Sequence, residues 1–243
     1  MHTNRLGGTR RLLVLAGALA IALTVSACAP EPAVEPIGST ADDLKVEATL
    51  ENFFGYLEDG DARAAALMTD LDIDLDAEES ILLDDAVYSQ VDSRPELVDV
   101  GEVTASGDGA RAQVRYLVGE ETREETVELV RVPKEGNVPE HSLVRLSPEA
   151  VGADMSGAER LPDETVYRVN GVDVSAAVHA AVERASTTNG VPRVIAFGGS
   201  YPIEVTVPGG DGFADTFILE VPMFYGGDSP DGDFAEFVGE HGF

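Results

Sequence analysis

The order in which helical and strand periodicities follow one another constrains the fold more than any other feature of the chain. Apolar residues first recur with a helical period, at Val46, Leu50, Phe53, Phe54 and Leu57. This spacing predicts a helix that begins after a Thr40 N-cap and ends at Gly60. A short Ala-rich helix over 62–68 and a third helical stretch over 80–90 are expected to follow.

Beyond these helices the apolar residues alternate with period two, which is typical of half-buried strands. The alternating segments cover 98–105, 112–118, 126–132 and 142–146. The phase changes near Gly101, which predicts a β-bulge there, and Gly107-Asp108-Gly109 predicts a hairpin turn. Helices followed by a run of antiparallel strands predict an α+β fold with the helices on one face of the sheet.

The first part of the chain resembles a known family. The stretch Phe53-Phe54-Gly55-Tyr56-Leu57, followed by Gly60-Asp61-Ala62 and the meander, is similar to an NTF2-like (cystatin-like) domain. More narrowly, it resembles the version in bacterial envelope lipoproteins and in the N-terminal regions of some penicillin-binding proteins. The resemblance covers about residues 42–147 and implies an NTF2-like cone, in which helices cover a curved antiparallel sheet.

The resemblance also implies a pocket between the first helix and the sheet. Phe53, Phe54, Tyr56 and Tyr88 are the residues that would line it. Some members of the superfamily are isomerases that combine an apolar pocket with a carboxylate base. The alternative is that these aromatic side chains fill the core.

The composition predicts a second unit after a linker. Residues 41–147 form the expected NTF2-like domain, and the Gly and Pro residues of 148–163 predict a linker. A small β-rich domain with one helix is expected over 164–225, with an Asn170-Gly171 turn, a helix near 174–185 and strands near 194–197, 203–207 and 217–221. Residues 226–243 read as an acidic, flexible tail.

The start of the chain predicts export. Arg5, Arg10 and Arg11 precede an apolar run, and Val25-Ser26-Ala27-Cys28 resembles the lipobox of bacterial lipoproteins. Residues 1–27 therefore read as a lipoprotein signal peptide, and 28–40 as a tether rich in Pro and Glu. Cys28, the only cysteine, would carry the lipid, such as palmitate, at the outer face of the cell membrane. An ordinary signal peptide with a chance cysteine is the alternative, and the export route, Sec or twin-arginine, stays open.

The net charge of the chain limits the kinds of partner that it is expected to bind. The chain has 16 basic and 45 acidic residues, and the signal contains three arginines and no acidic residue, which leaves 13 basic and 45 acidic residues and a net charge of −32. Such a surface repels nucleic acid and anionic headgroups, so the acyl anchor has to hold the protein at the membrane. With Cys28 acylated, the chain has no disulfide and no cysteine-based metal site.

The acidic run over 70–79 is the most unusual local sequence. Its spaced carboxylates could bind Ca²⁺, but an EF-hand loop that begins at Asp70 would need Gly and Glu where Leu75 and Ile81 stand. The other interpretation is a strand that exposes Asp72, Asp74 and Asp76 and turns Leu71, Ile73 and Leu75 inward.

The remaining motifs point away from catalysis. Gly107 to Ala112 matches a dinucleotide fingerprint, but a strand follows instead of the required helix. The segment Gly198 to Pro202 lacks the second glycine of a nucleophile elbow. His141, His179 and His241 are isolated and are expected at the surface. We therefore expect no catalytic residue, no cofactor and no metal.

The function expected from the sequence is that of a membrane-anchored extracytoplasmic lipoprotein. It would act as a binding or scaffold module for an envelope protein or a cell-wall component. One alternative is an NTF2-like enzyme or carrier for a small apolar ligand in the aromatic pocket. A second alternative is a Ca²⁺-responsive envelope module that uses the acidic run.

Overall fold

The computed structural model describes residues 41–135, 140–146, 151–209, 212–224 and 233–243, without the side chains of 41–44 and 233. The predicted signal peptide and the tether up to residue 40 lie outside the described residues. The lipobox Val25-Ser26-Ala27 and Cys28 therefore stay predictions. Residues Ser39–Phe243 form one compact unit. None of the helices described in this unit has both the length and the apolar character needed to cross a membrane.

The first helices match the helical pattern of the sequence. Helix α1 (Ala41–Asp59) buries the predicted apolar stripe. Helix α2 (Ala62–Ala66) begins where the Asp61 carboxylate accepts the N–H of Ala64. Gly60 between them has a φ of +83°, and a Cβ there would lie 2.6 Å from the Cα of Ser89, so only glycine fits this turn.

The third predicted helix is split in two. A 3-10 helix (Glu78–Leu83) is followed by the short helix α3 (Asp85–Tyr88). Asp84 between them has extended backbone, and its carboxylate accepts the N–H of Ala86. The extended backbone of Asp84 ends the 3-10 helix, and its side chain caps α3. The apolar spacing alone does not indicate this break.

The predicted meander forms an antiparallel sheet of four strands. Strands β1 (Pro95–Ser106), β2 (Gly109–Val118), β3 (Glu121–Val132) and β4 (His141–Arg145) lie in the order β1-β2-β3-β4. The register shifts between Val100 and Val103, which confirms the bulge near Gly101. Gly107 and Asp108 connect β1 to β2 and confirm the hairpin. Helix α1 contacts β1 and β4, so the α+β class is confirmed.

The predicted linker is wrong for its described part. Residues 151–163 contain strand β5 (Gly152–Asp154), which pairs with residues 193–195, and a second 3-10 helix (Ala158–Arg160). Val151, Ala153 and Met155 are buried because their alternation turns one face of the segment to the core. Gly157, which suggested flexibility, has a φ of +101° and lies against Ala235. It makes a close packing contact.

The second half contains the expected helix and strands. Strands β6 (Val166–Val169), β7 (Val172–Asp173), β9 (Gly199–Thr206) and β10 (Ala214–Val221) form an antiparallel sheet in the order β10-β9-β6-β7. Helix α4 (Ser175–Thr188) follows β7, and β8 (Arg193–Ile195) pairs with β5. Asn170 and Gly171 have φ of 50° and 80°, which confirms the tight turn between β6 and β7.

The two halves share one core, whereas the sequence predicted two domains joined by a linker. A single cluster of buried apolar residues includes side chains of α1, both four-stranded sheets and α4. The Tyr88 hydroxyl donates a hydrogen bond to the carbonyl of Gly198 over 3.0 Å, and the rings of Phe53 and Phe197 lie 6.1 Å apart. The two halves are therefore continuous in their packing, because each contributes aromatic side chains to the same interior.

The predicted flexible tail is wrong for residues 233–243. Helix α5 (Asp233–Glu240) buries Phe234, Phe237 and Val238. The Phe217 ring of β10 lies 5.1 Å from Phe234 and 5.4 Å from Phe237. The acidic residues of the tail suggested flexibility, but its apolar residues recur with helical spacing and pack against the second sheet.

Candidate functional site

The four aromatic residues predicted to line a pocket do not lie together at an opening. Phe53, Phe54 and Tyr88 are fully buried, whereas Tyr56 is 39% exposed. The Phe54 ring lies 5.5 Å from the rings of both Phe53 and Tyr116. Burial raises the pKa of Tyr88 far above its ordinary value. The three buried rings therefore pack against other aromatic rings, which supports the core-filling interpretation.

The acidic run has the predicted alternation without the predicted strand. Asp72, Asp74 and Asp76 are exposed, and Leu71, Ile73 and Leu75 pack against the core. Residues 71–74 have no regular secondary structure, and the segment pairs with β4 only through an isolated bridge between Thr69 and Val144. The side-chain alternation is therefore right and the strand assignment is wrong, since the ladder of hydrogen bonds is absent over 71–74.

Arginines from three different elements engage this run. Arg63 of α2 donates hydrogen bonds to the Leu75 carbonyl over 2.9 Å and to the Asp76 carboxylate over 2.8 Å. The hydrogen bond to Asp76 raises the pKa of Arg63. The two further pairs join Arg145 to Asp70, at 3.4 Å, and Arg184 to Glu79. Within the described residues, no group of three or more His, Cys, Asp or Glu side chains is placed to hold a metal ion.

A larger opening lies beside helix α4, and we call it the α4 cleft. It has a volume of about 380 Å³ and lies between α4, β6 and the segment 158–163. Clefts on the first sheet measure about 110 to 200 Å³. The lining of the α4 cleft consists of Ala158, Glu159, Leu161, Pro162, Asp163, Tyr167, His179, Val182 and Glu183.

His179 is not the surface residue expected from the sequence. It is partly buried, its ring lies 5.8 Å from that of Tyr167 in an edge-on contact, and it shares a face of α4 with Glu183. Its Nε2 is enclosed and has no hydrogen-bond partner among the described residues. An unpaired buried polar group costs about 1–3 kcal/mol, so packing alone is a poor reason for a histidine here.

Tyr167 forms a rigid wall of the cleft. Its backbone N–H donates to the Ser175 hydroxyl over 2.9 Å, which ties β6 to the first turn of α4. The side chain is 1% exposed, and burial, reinforced by the negative charge of Glu159, raises the pKa of its hydroxyl. The phenol is therefore protonated at neutral pH, and the Glu159 charge acts on the cleft wall.

The α4 cleft differs from the smaller clefts in its charge. Its lining, as far as the chain is described, includes the carboxylates Glu159, Asp163 and Glu183 and no lysine or arginine. Each of the three first-sheet clefts includes an arginine in its lining, respectively Arg131, Arg115 and Arg111. The negative charge of the α4 cleft is thus not offset from within its own lining.

Two of the other sites considered from the sequence have structural roles, and the third is exposed. The Ser200 hydroxyl donates to the Glu220 carboxylate at 2.6 Å, and Gly199 packs against Val91, so this segment is part of a sheet. The His241 ring stacks on Phe213 with ring centroids 4.0 Å apart. His141 is exposed at the start of β4, in the cleft that Lys45 also lines.

Comparisons of the chain with protein-family models, with characterised proteins and with solved structures returned no match. No family is therefore assigned on that basis. The NTF2-like resemblance rests on residues 53–62 and the order of helices and strands. The chemistry of the α4 cleft rests on the residues that line it.

Proposed function

We propose that the protein is an extracytoplasmic lipoprotein, held at the outer face of the cell membrane by acylated Cys28, that acts as a binding module. Its partner is an envelope protein or a component of the cell wall, and its binding site is the α4 cleft. The observation that carries the binding role is the size and mixed lining of this cleft, since ligand sites typically combine apolar walls with a few polar groups.

The anchor is supported by the sequence around Cys28. Small residues at Ser26 and Ala27 precede the only cysteine of the chain, after an uncharged apolar run. Two acyl chains are enough for stable attachment to a bilayer, whereas one gives only marginal binding. The net charge of −32 expected after cleavage makes adhesion through the protein surface unfavourable on an anionic membrane.

Binding fits the described geometry better than catalysis. A nucleophile and its base need to lie within hydrogen-bond reach of each other. Ser200 is engaged by Glu220, and the centroids of the His179 and Tyr167 rings are 5.8 Å apart. An apolar ligand in the aromatic pocket is disfavoured because Phe53, Phe54 and Tyr88 are enclosed by other rings.

The finer fold assignment is also part of the proposal. We assign α1 to α3 and β1 to β4 to an NTF2-like arrangement. Two features support it: the long helix α1 contacts β1 and β4, and the four strands follow one another as an antiparallel meander. In this assignment the second sheet and α4 are additions that share the core.

Acylation tests the anchor. Cells that express the protein are supplied with a labelled fatty acid, and the protein is followed by membrane fractionation. We expect label and membrane association with the natural Cys28, and loss of both with Cys28→Ser. Ser39→Ala is the matched control and is expected to change neither. Labelled, membrane-bound protein after Cys28→Ser would contradict the proposal.

Site-specific cross-linking tests the binding role. A photoreactive amino acid replaces Val182, which lines the cleft, or Ile218, which is exposed on the outer face of β10. We expect a discrete adduct in cells from position 182 and none of the same mass from position 218. Equal adducts from both positions would speak against a specific site in the cleft.

A further inference from the structure

We propose that the α4 cleft binds a cationic group on an aliphatic stem, an alkylammonium or a guanidinium. The inference rests on the proposed binding role, because it names the ligand class of the same site. Three observations support it: the sign of the charge in the cleft, the apolar surface beside that charge, and an unpaired ring nitrogen in the wall.

The charge in the cleft comes from three carboxylates on separate elements. Glu159 belongs to the second 3-10 helix, Asp163 to the loop that follows, and Glu183 to α4. The Glu159 carboxylate accepts the N–H of Gly157, a hydrogen bond that leaves its negative charge in place. The described lining contains no lysine or arginine that would occupy these carboxylates in place of a ligand cation. The acidity of the whole chain further raises the local concentration of cations.

Apolar side chains lie next to these carboxylates. Leu161, Pro162 and Val182 line the same cleft, and Tyr167 contributes an aromatic wall. Methylene groups of a lysine-like or arginine-like ligand can cover such apolar surface while the charged end meets the carboxylates. A bare metal ion fits less well, because the described carboxylates and histidines include no group of three or more placed to hold one.

An unpaired nitrogen of a residue that lines the cleft also supports a ligand with hydrogen-bond donors. His179 Nε2 is enclosed without a partner in the described structure. With the ring proton on Nδ1, Nε2 is an acceptor. An ammonium offers three donors and a guanidinium five, enough to serve this nitrogen as well as the carboxylates of the lining.

Calorimetry and NMR on the full chain in detergent micelles test the proposal. The probes are cadaverine and agmatine, with 1-pentanol as a neutral control. We expect saturable binding of both cations, with shifts of the Val182 methyl and His179 ring signals, and no such binding of 1-pentanol. Equal binding of 1-pentanol, or no saturable binding of either cation, would overturn the proposal.

A second arm distinguishes the source of the cation. A capped Gly-Lys-Gly peptide is compared with free cadaverine, and its Nε-acetylated form is the neutral control. Tighter binding of the peptide indicates a side chain of a protein partner, and tighter binding of cadaverine indicates a free amine. Either result requires that acetylation abolish binding of the peptide, and an acetylated peptide that binds as well would contradict a cationic ligand.

Variants with equal charge change separate the cleft from the general acidity of the protein. Asp163→Asn with Glu183→Gln removes two lining charges, and Glu96→Gln with Glu120→Gln removes two exposed charges on the first sheet, away from the cleft. We expect the first pair to weaken cadaverine binding roughly tenfold and the second by less than about twofold. Equal weakening would overturn the proposal.

The variants are chosen so that a loss of binding is not confused with a loss of folding. All four positions are exposed, so both pairs should fold, and melting curves check this. Glu183→Gln alone is the fallback variant. Failure to bind these cations would leave the acylation of Cys28 and the cross-link from position 182 intact, so it is distinguishable from failure of the proposed function.

Discussion

The acidic run over 70–79 and the α4 cleft are both rich in carboxylates, and they differ in what faces those carboxylates. Arg63, Arg145 and Arg184 pair with three of the six carboxylates of the run, and Arg63 also binds its backbone at Leu75. Among the described residues, no lysine or arginine lines the α4 cleft. The comparison teaches that the density of acidic residues along a sequence says little about ligand binding. The position of the arginines in three dimensions decides which negative charge is left for a ligand.

The largest expected effect comes from the wall of the cleft. Tyr167→Ala removes a fully buried aromatic ring and should lower the free energy of unfolding by about 3–5 kcal/mol. Leu71→Ala, under the acidic run, should cost clearly less because Leu71 is only partly buried. Urea unfolding of the two variants measures both. Similar losses would mean that the run is as firmly packed as the cleft wall.

A smaller, local effect is expected when the run loses its contacts with Arg63. Arg63→Gln removes the hydrogen bonds to the Leu75 carbonyl and the Asp76 carboxylate. Hydrogen exchange at the Ala77 and Ser80 amides should speed up, since that loop is then held by fewer contacts. Arg123→Gln is the control, because Arg123 forms its ion pair with the exposed Glu121, away from the run. Unchanged exchange at Ala77 would show that Arg63 does not hold the run.

Added Ca²⁺ tests whether the carboxylates of the acidic run are available to a ligand. Arginines engage three carboxylates of the run, and no group of three or more acidic side chains among the described residues is placed to hold a metal ion. Millimolar Ca²⁺ should therefore shift the melting temperature of the protein by no more than about 1 °C. Differential scanning calorimetry with Ca²⁺ or with a chelator measures this shift. A rise of several degrees would mean that the run binds Ca²⁺ in spite of its arginines, and would revive the calcium-responsive alternative.

The smallest expected effect is a pH dependence at the start of α4. Hydrogen bonds from Ser175 hold the pKa of Asp173 below its ordinary value of 3.8. A depressed folded pKa means that Asp173 stabilises the protein above pH 4 and that this contribution is lost as the pH falls further. Ser175→Ala should reduce the loss of stability between pH 4 and pH 2. Identical acid unfolding of variant and parent would contradict this role.

Local patterns predicted the elements that depend on neighbours in sequence. The stripe from Val46 to Leu57 predicted α1, and Asn170-Gly171 predicted the β6–β7 turn, because period and turn chemistry act over a few residues. The alternation in the acidic run was also right. The linker and the flexible tail were wrong, because glycine, proline and acidic residues outweighed the buried positions Val151, Met155 and Phe234.

The α4 cleft was missed even though part of its signal is in the sequence. His179 and Glu183 are four residues apart, on one side of a helix whose apolar stripe is elsewhere. That spacing alone does not separate a site from a solvated surface. Glu159 and Tyr167 complete the cleft from other elements, and nothing in their local sequence shows that they meet α4.

Local sequence patterns were sufficient to predict the helix and strand periods, the hairpin turns and a lipid anchor at Cys28, and the composition gives the strongly negative charge. The shared core of the two halves, the helix near the C-terminus and the pairing of particular carboxylates with arginines became evident from the folded chain. The difference arises from the separation in sequence over which each kind of interaction acts. Backbone preferences and turn chemistry act between neighbours, whereas burial and charge pairing join residues as distant in sequence as Glu79 and Arg184.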